Sequence, residues 1–377
     1  MVDVTVFVPG ILASRLAQPD GTLLWSENAF DSFSQLARMP NPLQWDPNIQ
    51  VQPQGTLEEM DLFGVKHSFC SLLRREMHHR HSQSSSVYDE FGYDWRQDVL
   101  VSAKQLGQWL SNRYSFINNY QGLQERESEK RLRIVGHSMG CLVAGLAMMN
   151  GFIHPENVRR FICIGAPFLG APAAFRALYD LGYLPGFTLV EKWVNKGKPS
   201  RARRDCLLGT IQSFPSAYQL LPHQGQNYVW IKNASLSNPL SGNIIPQDKR
   251  DAAIIVHSQL ANLERFLKQN GVDYHFIYGV GAKMGAVYRI LSVVGLYGQG
   301  PPLDTDGEFD ASIETKLSGD ATYEVSRRRR VTGDGTVPCP SAAFHQLSTP
   351  RRHQAAGVNH HEMCNDRGIV SKVMQLL

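Results

Sequence analysis

Residues 132–149 restrict the fold of this 377-residue chain more than any other stretch. The apolar run Leu132–Val135 leads straight into Gly136-His137-Ser138-Met139-Gly140, and the following Cys141–Met149 is built of small and apolar residues. A strand that turns directly into a helix through G-x-S-x-G makes a sharp elbow. The residues two before and two after the serine must lack bulk, and the hydroxyl is left standing on the turn. The backbone N–H that follows, that of Met139, points where an oxyanion would develop, and the start of the helix favours negative charge there.

The surrounding pattern repeats the same rhythm of strand and helix. Val4–Val8 is a short β-rich run closed by Pro9-Gly10, and Val87–Tyr93 reads as a second strand. Leu57–His78 has helix-like apolar spacing. Leu100–Tyr114 places Leu106, Trp109 and Leu110 on one helical face. Phe161–Ile164 and Asp273–Val280 are further buried strands, Asp248–Asn270 is a long helix, Tyr323–Val331 is extended, and Val373–Leu377 ends a terminal helix. This alternation predicts an α/β chain: a mostly parallel sheet with helices on both faces, of the α/β-hydrolase class. The rhythm fails over 168–246 and again over 281–320. The expected organisation is therefore a core formed by 1–167 and 247–377, with 168–246 inserted as a cap or lid.

A serine hydroxyl needs a base, and in this fold class the partners follow in the order Ser, Asp or Glu, His. Gly333-Asp334-Gly335-Thr336-Val337-Pro338 sets an aspartate on a turn, with Asp304, Asp306 and Asp310 as rivals in a more irregular stretch. Gly357-Val358-Asn359-His360-His361 sets two histidines on a loop before the last helix, and His360 is preferred to His361. The second oxyanion donor belongs to the loop after the first strand. Pro9 has no N–H, which leaves Gly10, Ile11 or Leu12, with Ile11 favoured. Trp25, Trp95 and Trp193 are candidates for an acyl pocket or plain core. Asp94 and Arg96 form a candidate ion pair, either in the pocket wall or behind the site.

Composition excludes other classes. The net charge of +4, from 38 basic and 34 acidic residues, is far from a nucleic-acid-binding signature. The clusters Arg201/Arg203/Arg204 and Arg327–Arg330 read as solvated surface or as contacts for lipid phosphates. None of the six cysteines (Cys70, Cys141, Cys163, Cys206, Cys339, Cys364) stands in a CxxC pair, so the spacing announces no zinc site. No leader precedes the first strand, which gives a cytoplasmic expectation. No apolar run reaches the ~18–20 residues that span a bilayer.

Taken together, these motifs resemble the lecithin:cholesterol acyltransferase-like family, which includes phospholipid acyltransferases and phospholipases A. The resemblance is carried by Val8-Pro-Gly-Ile-Leu12 with Ser14-Arg15-Leu16, Leu24-Trp25, Tyr93-Asp94-Trp95-Arg96 and the elbow. Gly165-Ala166-Pro167, Pro215 through Leu220-Leu221-Pro222, Tyr278-Gly279-Val280-Gly281, Gly333 to Pro338, and Gly357-Val358-Asn359-His360 with Met363 continue it in order. It implies a lipid-ester acyl donor, met at a membrane or micelle surface, and a lid. It also aligns His360 as the base, with Ser138 and Asp334 completing the triad. Secreted members carry a leader and a lid disulfide, and neither is visible here. The expected reaction is acyl transfer through Ser138 to an alcohol or to water, with no metal or organic cofactor. The competing readings are a general lipase or carboxylesterase, and a non-catalytic binding protein on the same fold.

Overall fold

A computed structural model describes residues 3–28, 32, 35, 38, 41–62, 65–114, 131–179, 201–224, 230–231, 240, 245–281, 313–318, 321–326, 333–344 and 350–377. Its centre is a sheet of six parallel strands: β1 (Val4–Val8), β2 (Val87–Glu90), β3 (Leu132–His137), β4 (Val158–Ile164), β5 (Asp273–Val280) and β6 (Arg352–Ala356). Their spatial order is β6-β5-β4-β3-β1-β2. The chain steps from β1 to one edge, then crosses back to β3 and builds away in the other direction. The order therefore reverses between β1 and β3. In open parallel sheets the crevice beyond the carboxyl ends of the strands at such a reversal is where sites form. Here the Pro9-Gly10 loop leaves β1 and the Ser138 elbow leaves β3 side by side.

The described helices are α1 (Ser71–Ser82), α2 (Val99–Arg113), α3 (Met139–Met149), α4 (Pro172–Tyr179), α5 (Arg201–Ser213), α6 (Pro215–Gln219), α7 (Gln247–Leu260), α8 (Leu263–Gln269), α9 (Cys339–Ala342) and α10 (Arg367–Leu376). Side chains alternate across each strand, and both faces are covered. Val4, Val6 and Val8 of β1, Leu132 and Ile134 of β3, and Phe161 and Cys163 of β4 join one core with α2, α3 and α7. Phe7, Val135, Ile162 and Ile164 project the other way and pack with Leu73 and Met77 of α1 and with Ile369, Val370 and Val373 of α10. α3 is buried along almost its whole length, which explains its run of small and apolar residues.

Four expectations needed correction. Leu57–His78 is not one helix: Glu59–Leu62 and Val65–Ser68 pair as an antiparallel hairpin, and the helix begins only at Ser71. Apolar and acidic residues alternate over Glu59–Leu62, and a glycine lies in the two-residue link, so the hairpin period wins locally. The long helix after 247 breaks at Ala261-Asn262 into α7 and α8. Ile313–Ser318, inside the stretch taken as irregular, pairs antiparallel with Ala321–Ser326. That second strand starts before Tyr323 and ends within the expected extended run; Arg327–Arg330 lie outside the described residues, as do Trp193, Asp304, Asp306 and Asp310. Among the described residues no helix is long and apolar enough to cross a membrane.

Candidate active site

The elbow is built by close backbone approach. Ser138 has φ 53° and ψ −128°, a conformation that non-glycine residues rarely hold. Its N–H donates to the Ile164 carbonyl at 2.8 Å, which ties the turn to the end of β4. A Cβ at Gly140 would collide with the Val8 and Pro9 carbonyls, and one at Gly136 would come within 2.9 Å of the Cys141 Cα. These clashes give the structural reason for the two outer glycines of the motif.

Three side chains meet on this turn. The His360 Nε2 lies 2.9 Å from the Ser138 Oγ, and the His360 Nδ1 lies 2.8 Å from the Asp334 Oδ2. Exposure is 8% for Ser138, 3% for His360 and 1% for Asp334, so the relay is screened from bulk water and the serine is its most exposed member. The remaining carboxylate oxygen, Oδ1, accepts from the Thr336 N–H at 3.0 Å and the Val337 N–H at 2.7 Å. With Oδ1 occupied by two donors, Oδ2 accepts from the Nδ1–H. That fixes the tautomer and leaves Nε2 to accept from the serine hydroxyl.

The supports of the relay are local. The His360 N–H donates to the Asp334 carbonyl at 2.9 Å, which locks the two loops together. Asn359 caps the turn His360–Asn365 by accepting from the His361 N–H. A Cβ at Gly279 would sit 2.5 Å from the Asp334 Cβ, and one at Gly165 would sit 3.0 Å from the His360 ring. Both glycines leave room for the relay, a role the sequence shows only as glycines at strand ends. His361, the alternative base, stands perpendicular to His360 with ring centres 5.6 Å apart.

The loop after β1 lies directly on the elbow. A Cβ at Gly10 would meet the Ser138 Cβ at 2.9 Å, Ile11 is half-buried, and Leu12 has φ 66°. Two side chains hold this loop. The Tyr93 hydroxyl donates to the Pro9 carbonyl at 2.8 Å, and the Trp25 indole N–H donates to the Leu12 carbonyl at 2.7 Å. Met139 opens α3, so its amide belongs to the first turn, whose N–H groups have no partner within the helix.

The candidate pocket residues fall behind this loop. Trp95 is fully buried, packs edge-on between Trp25 and Phe214 at 5.7 Å from each, and donates to the Ser14 carbonyl. Asp94 and Arg96 form a buried bidentate pair at 2.9 and 2.7 Å, and the Arg96 Nη1 donates to the Leu43 carbonyl. Their described contacts are with one another and with backbone, not with the three relay side chains.

Two buried histidine environments flank the site. His137, next to Ser138, has its Nε2 3.3 Å from the His360 carbonyl. Burial works against its charge, but the adjacent Cys70 thiolate outweighs burial and pushes its pKa up to about 9. Burial raises the Cys70 thiol, yet the Cys364 hydrogen bond and the His137 charge prevail and bring it down to about 5. Farther out, His223 and His257 stack with ring centres 3.7 Å apart, and the His257 Nε2–H donates to the Gln219 carbonyl. Burial lowers both, to about 2 and about 4.

Strand order, elbow and the three joined side chains define a chain of the α/β-hydrolase fold. In accord with that, a chain of the Tle4-Tli4 complex crystal structure superposes with a TM-score of 0.51 at 14% identity, over 98% of this chain and 97% of that one. The Bacillus licheniformis lipase BlEst2 in mature form aligns over 100% of this chain and 91% of its own at 11% identity; its TM-score of 0.37 is too low to carry a conclusion. Residues 89–259 match the family model of lecithin:cholesterol acyltransferase. Lecithin-cholesterol acyltransferase-like 4 of Arabidopsis thaliana is 30% identical over 132 residues, 35% of this chain and 22% of that relative. The match thus spans about a fifth of the relative's length. The similarity to lecithin:cholesterol acyltransferase thus covers somewhat less than half of the chain. The matched segment contains Ser138 but neither Asp334 nor His360, whose convergence rests on the geometry above.

Proposed function

We propose that the protein transfers acyl groups from a lipid ester, a phospholipid in the first instance, through an acyl-Ser138 intermediate. The observation that carries this reading is the continuous hydrogen-bonded path from Asp334 through His360 to Ser138. The Ser138 Oγ attacks the ester carbonyl while the His360 Nε2 takes its proton. The tetrahedral oxyanion is held by the Met139 amide and by an amide of the β1 loop, assigned to Ile11; each such donor contributes ~100–1000-fold in rate. The imidazolium, stabilised by Asp334, then returns the proton to the leaving alkoxide, which departs as the lysolipid. A water or alcohol hydroxyl, deprotonated in turn by His360, attacks the acyl-serine; the acid or new ester departs as the imidazolium returns its proton to the Ser138 Oγ.

Residues 168–246 are proposed as the cap. Their root is pinned to α9, the short helix after the Asp334 turn: the Leu169 N–H donates to the Ser341 Oγ at 3.0 Å, and the same hydroxyl donates to the Gly170 carbonyl at 2.7 Å.

Product analysis tests the proposal. Phospholipid vesicles are incubated with wild type and with Ser138→Ala, with and without a long-chain alcohol or a sterol. The expected result is lysophospholipid from wild type alone, accompanied by free fatty acid when water is the acceptor or by a new ester when the alcohol is. Equal turnover by Ser138→Ala, or a short-chain optimum on p-nitrophenyl esters with no phospholipid cleavage, overturns the respective part of the proposal.

A further inference from the structure

We propose that Cys70, His137 and Cys364 form a binding site for one zinc ion, or a similar soft divalent cation, beneath the nucleophile elbow. The proposal is independent of the serine chemistry. It starts from the alternation of β3. Leu132 and Ile134 face α3, so Val135 and, two residues on, His137 face the opposite side of the sheet, where α1 and α10 pack. Cys70 caps the start of α1 on that side, and Cys364 lies in the turn His360–Asn365 that leads to α10. Three segments remote in sequence thus deliver two thiols and one imidazole to a single point.

The three ligand atoms lie within 4.8 Å of one another. A tetrahedral zinc site with Zn–S bonds of ~2.3 Å and Zn–N bonds of ~2.0–2.1 Å has ligand-to-ligand edges of about 3.5–3.8 Å. Each gap therefore needs to close by little more than 1 Å at most, within reach of side-chain rotation. All three residues are buried, with exposures of 3% for Cys70, 8% for His137 and 1% for Cys364. Two thiolates neutralise a dication and the imidazole adds no charge, so the assembled centre places no net charge in the core. Sulfur and imidazole nitrogen are the donors that select zinc over magnesium or calcium. Three protein ligands leave a fourth position of the tetrahedron.

The ligand-bearing segments are already laced together. The Asn365 Oδ1, next to Cys364, accepts from the Leu72 N–H and the Ser68 hydroxyl at 3.1 Å each, which clamps the turn to the start of α1. Cys70 itself holds a left-handed conformation (φ 65°, ψ 27°) that turns the chain into the helix at this point. A bound ion would join the elbow, through His137, to the turn that begins with His360. Spacing rules look for paired CxxC or HxxxH; here each ligand comes from a different segment, so the sequence does not signal the site.

The probe is Co2+ added to the reduced, metal-free full-length chain. The expected result is thiolate-to-cobalt charge-transfer absorption in the near ultraviolet with visible bands of tetrahedral intensity. Both should saturate at one equivalent and be displaced by Zn2+. The double variant Cys70→Ser/Cys364→Ser should lose these bands, and Cys206→Ser should keep them. A wild-type chain that develops no charge-transfer band, or a double variant with unchanged bands, overturns the proposal. Should the double variant fail to fold, X-ray absorption on zinc-loaded wild type decides the matter. A shell of two sulfurs near ~2.3 Å with nitrogen near ~2.0–2.1 Å supports the site, and a shell without sulfur overturns it.

Discussion

Replacing Asp334 by asparagine separates geometry from proton logic. Oδ1 of Asp334 accepts two backbone donors, from Thr336 and Val337, and Oδ2 faces the His360 Nδ1 at 2.8 Å. In Asp334→Asn the amide oxygen keeps the two backbone bonds, because only oxygen can accept them. The amide nitrogen is thereby turned toward Nδ1. Two N–H donors cannot face each other, so His360 switches its proton to Nε2 and presents a donor to the Ser138 Oγ, where the mechanism needs an acceptor. The same substitution in a serine-protease triad lowers kcat by ~10⁴-fold through the wrong tautomer. At 1.36 kcal/mol per decade the expected cost here is about 5 kcal/mol of transition-state stabilisation. The change is isosteric and leaves the Asp334 turn bonded, so the thermal midpoint should move by no more than a few degrees. The assay is kcat on a p-nitrophenyl ester together with a melting curve. A correctly folded Asp334→Asn enzyme that retains a tenth or more of wild-type kcat refutes the proton relay as described.

Three other outcomes follow from the packing. Gly140→Ala, whose methyl would strike the Val8 and Pro9 carbonyls, should abolish labelling at Ser138 and lower the thermal midpoint, while Gly209→Ala, with open space around it in α5, should be neutral or slightly stabilising. Arg96→Met leaves the Asp94 carboxylate buried without its bidentate partner and should cost about 3–5 kcal/mol in urea unfolding. For acid sensitivity, the His257 pKa falls from 6.5 unfolded to about 4 folded, so the unfolded chain binds the extra proton between those values. Its contribution is complete above pH 6.5 and is lost as the pH falls, by about 2 kcal/mol at pH 5; a His257→Gln variant should flatten that slope of urea midpoint against pH.

The sequence disclosed the parts of this molecule whose chemistry is local. Glycines flanking Ser138 are required by close contacts with the end of β1 and with the first turn of α3, and so the elbow can be read from five residues and their setting. His360 was legible as a loop residue just past β6, whereas Asp334, 54 residues past β5 and after a hairpin of a separate sheet, stood out only by its Gly-Asp-Gly turn and its place in the order between Ser138 and His360. The choice of His360 over His361 became physical only when its Nδ1 met the Asp334 Oδ2. What escaped reading depends on contacts remote in sequence. Tyr93 supports the Pro9 carbonyl from 84 residues away, and the Trp25 indole anchors the Leu12 carbonyl, so these aromatics position the loop proposed to carry an oxyanion donor. Leu57–His78 misled because a window spanning a hairpin and the start of a helix contains apolar residues at helical intervals by coincidence; strand pairing with a partner three to nine residues away decided the first half.

The most direct measurement is covalent. The folded wild-type chain is treated with a fluorophosphonate, digested, and the adduct located by mass spectrometry. A single adduct on Ser138, formed at a rate that collapses in His360→Ala, is the predicted result. Folded protein that stays unmodified, or that carries its adduct on another residue, contradicts a hydroxyl activated by the His360 imidazole.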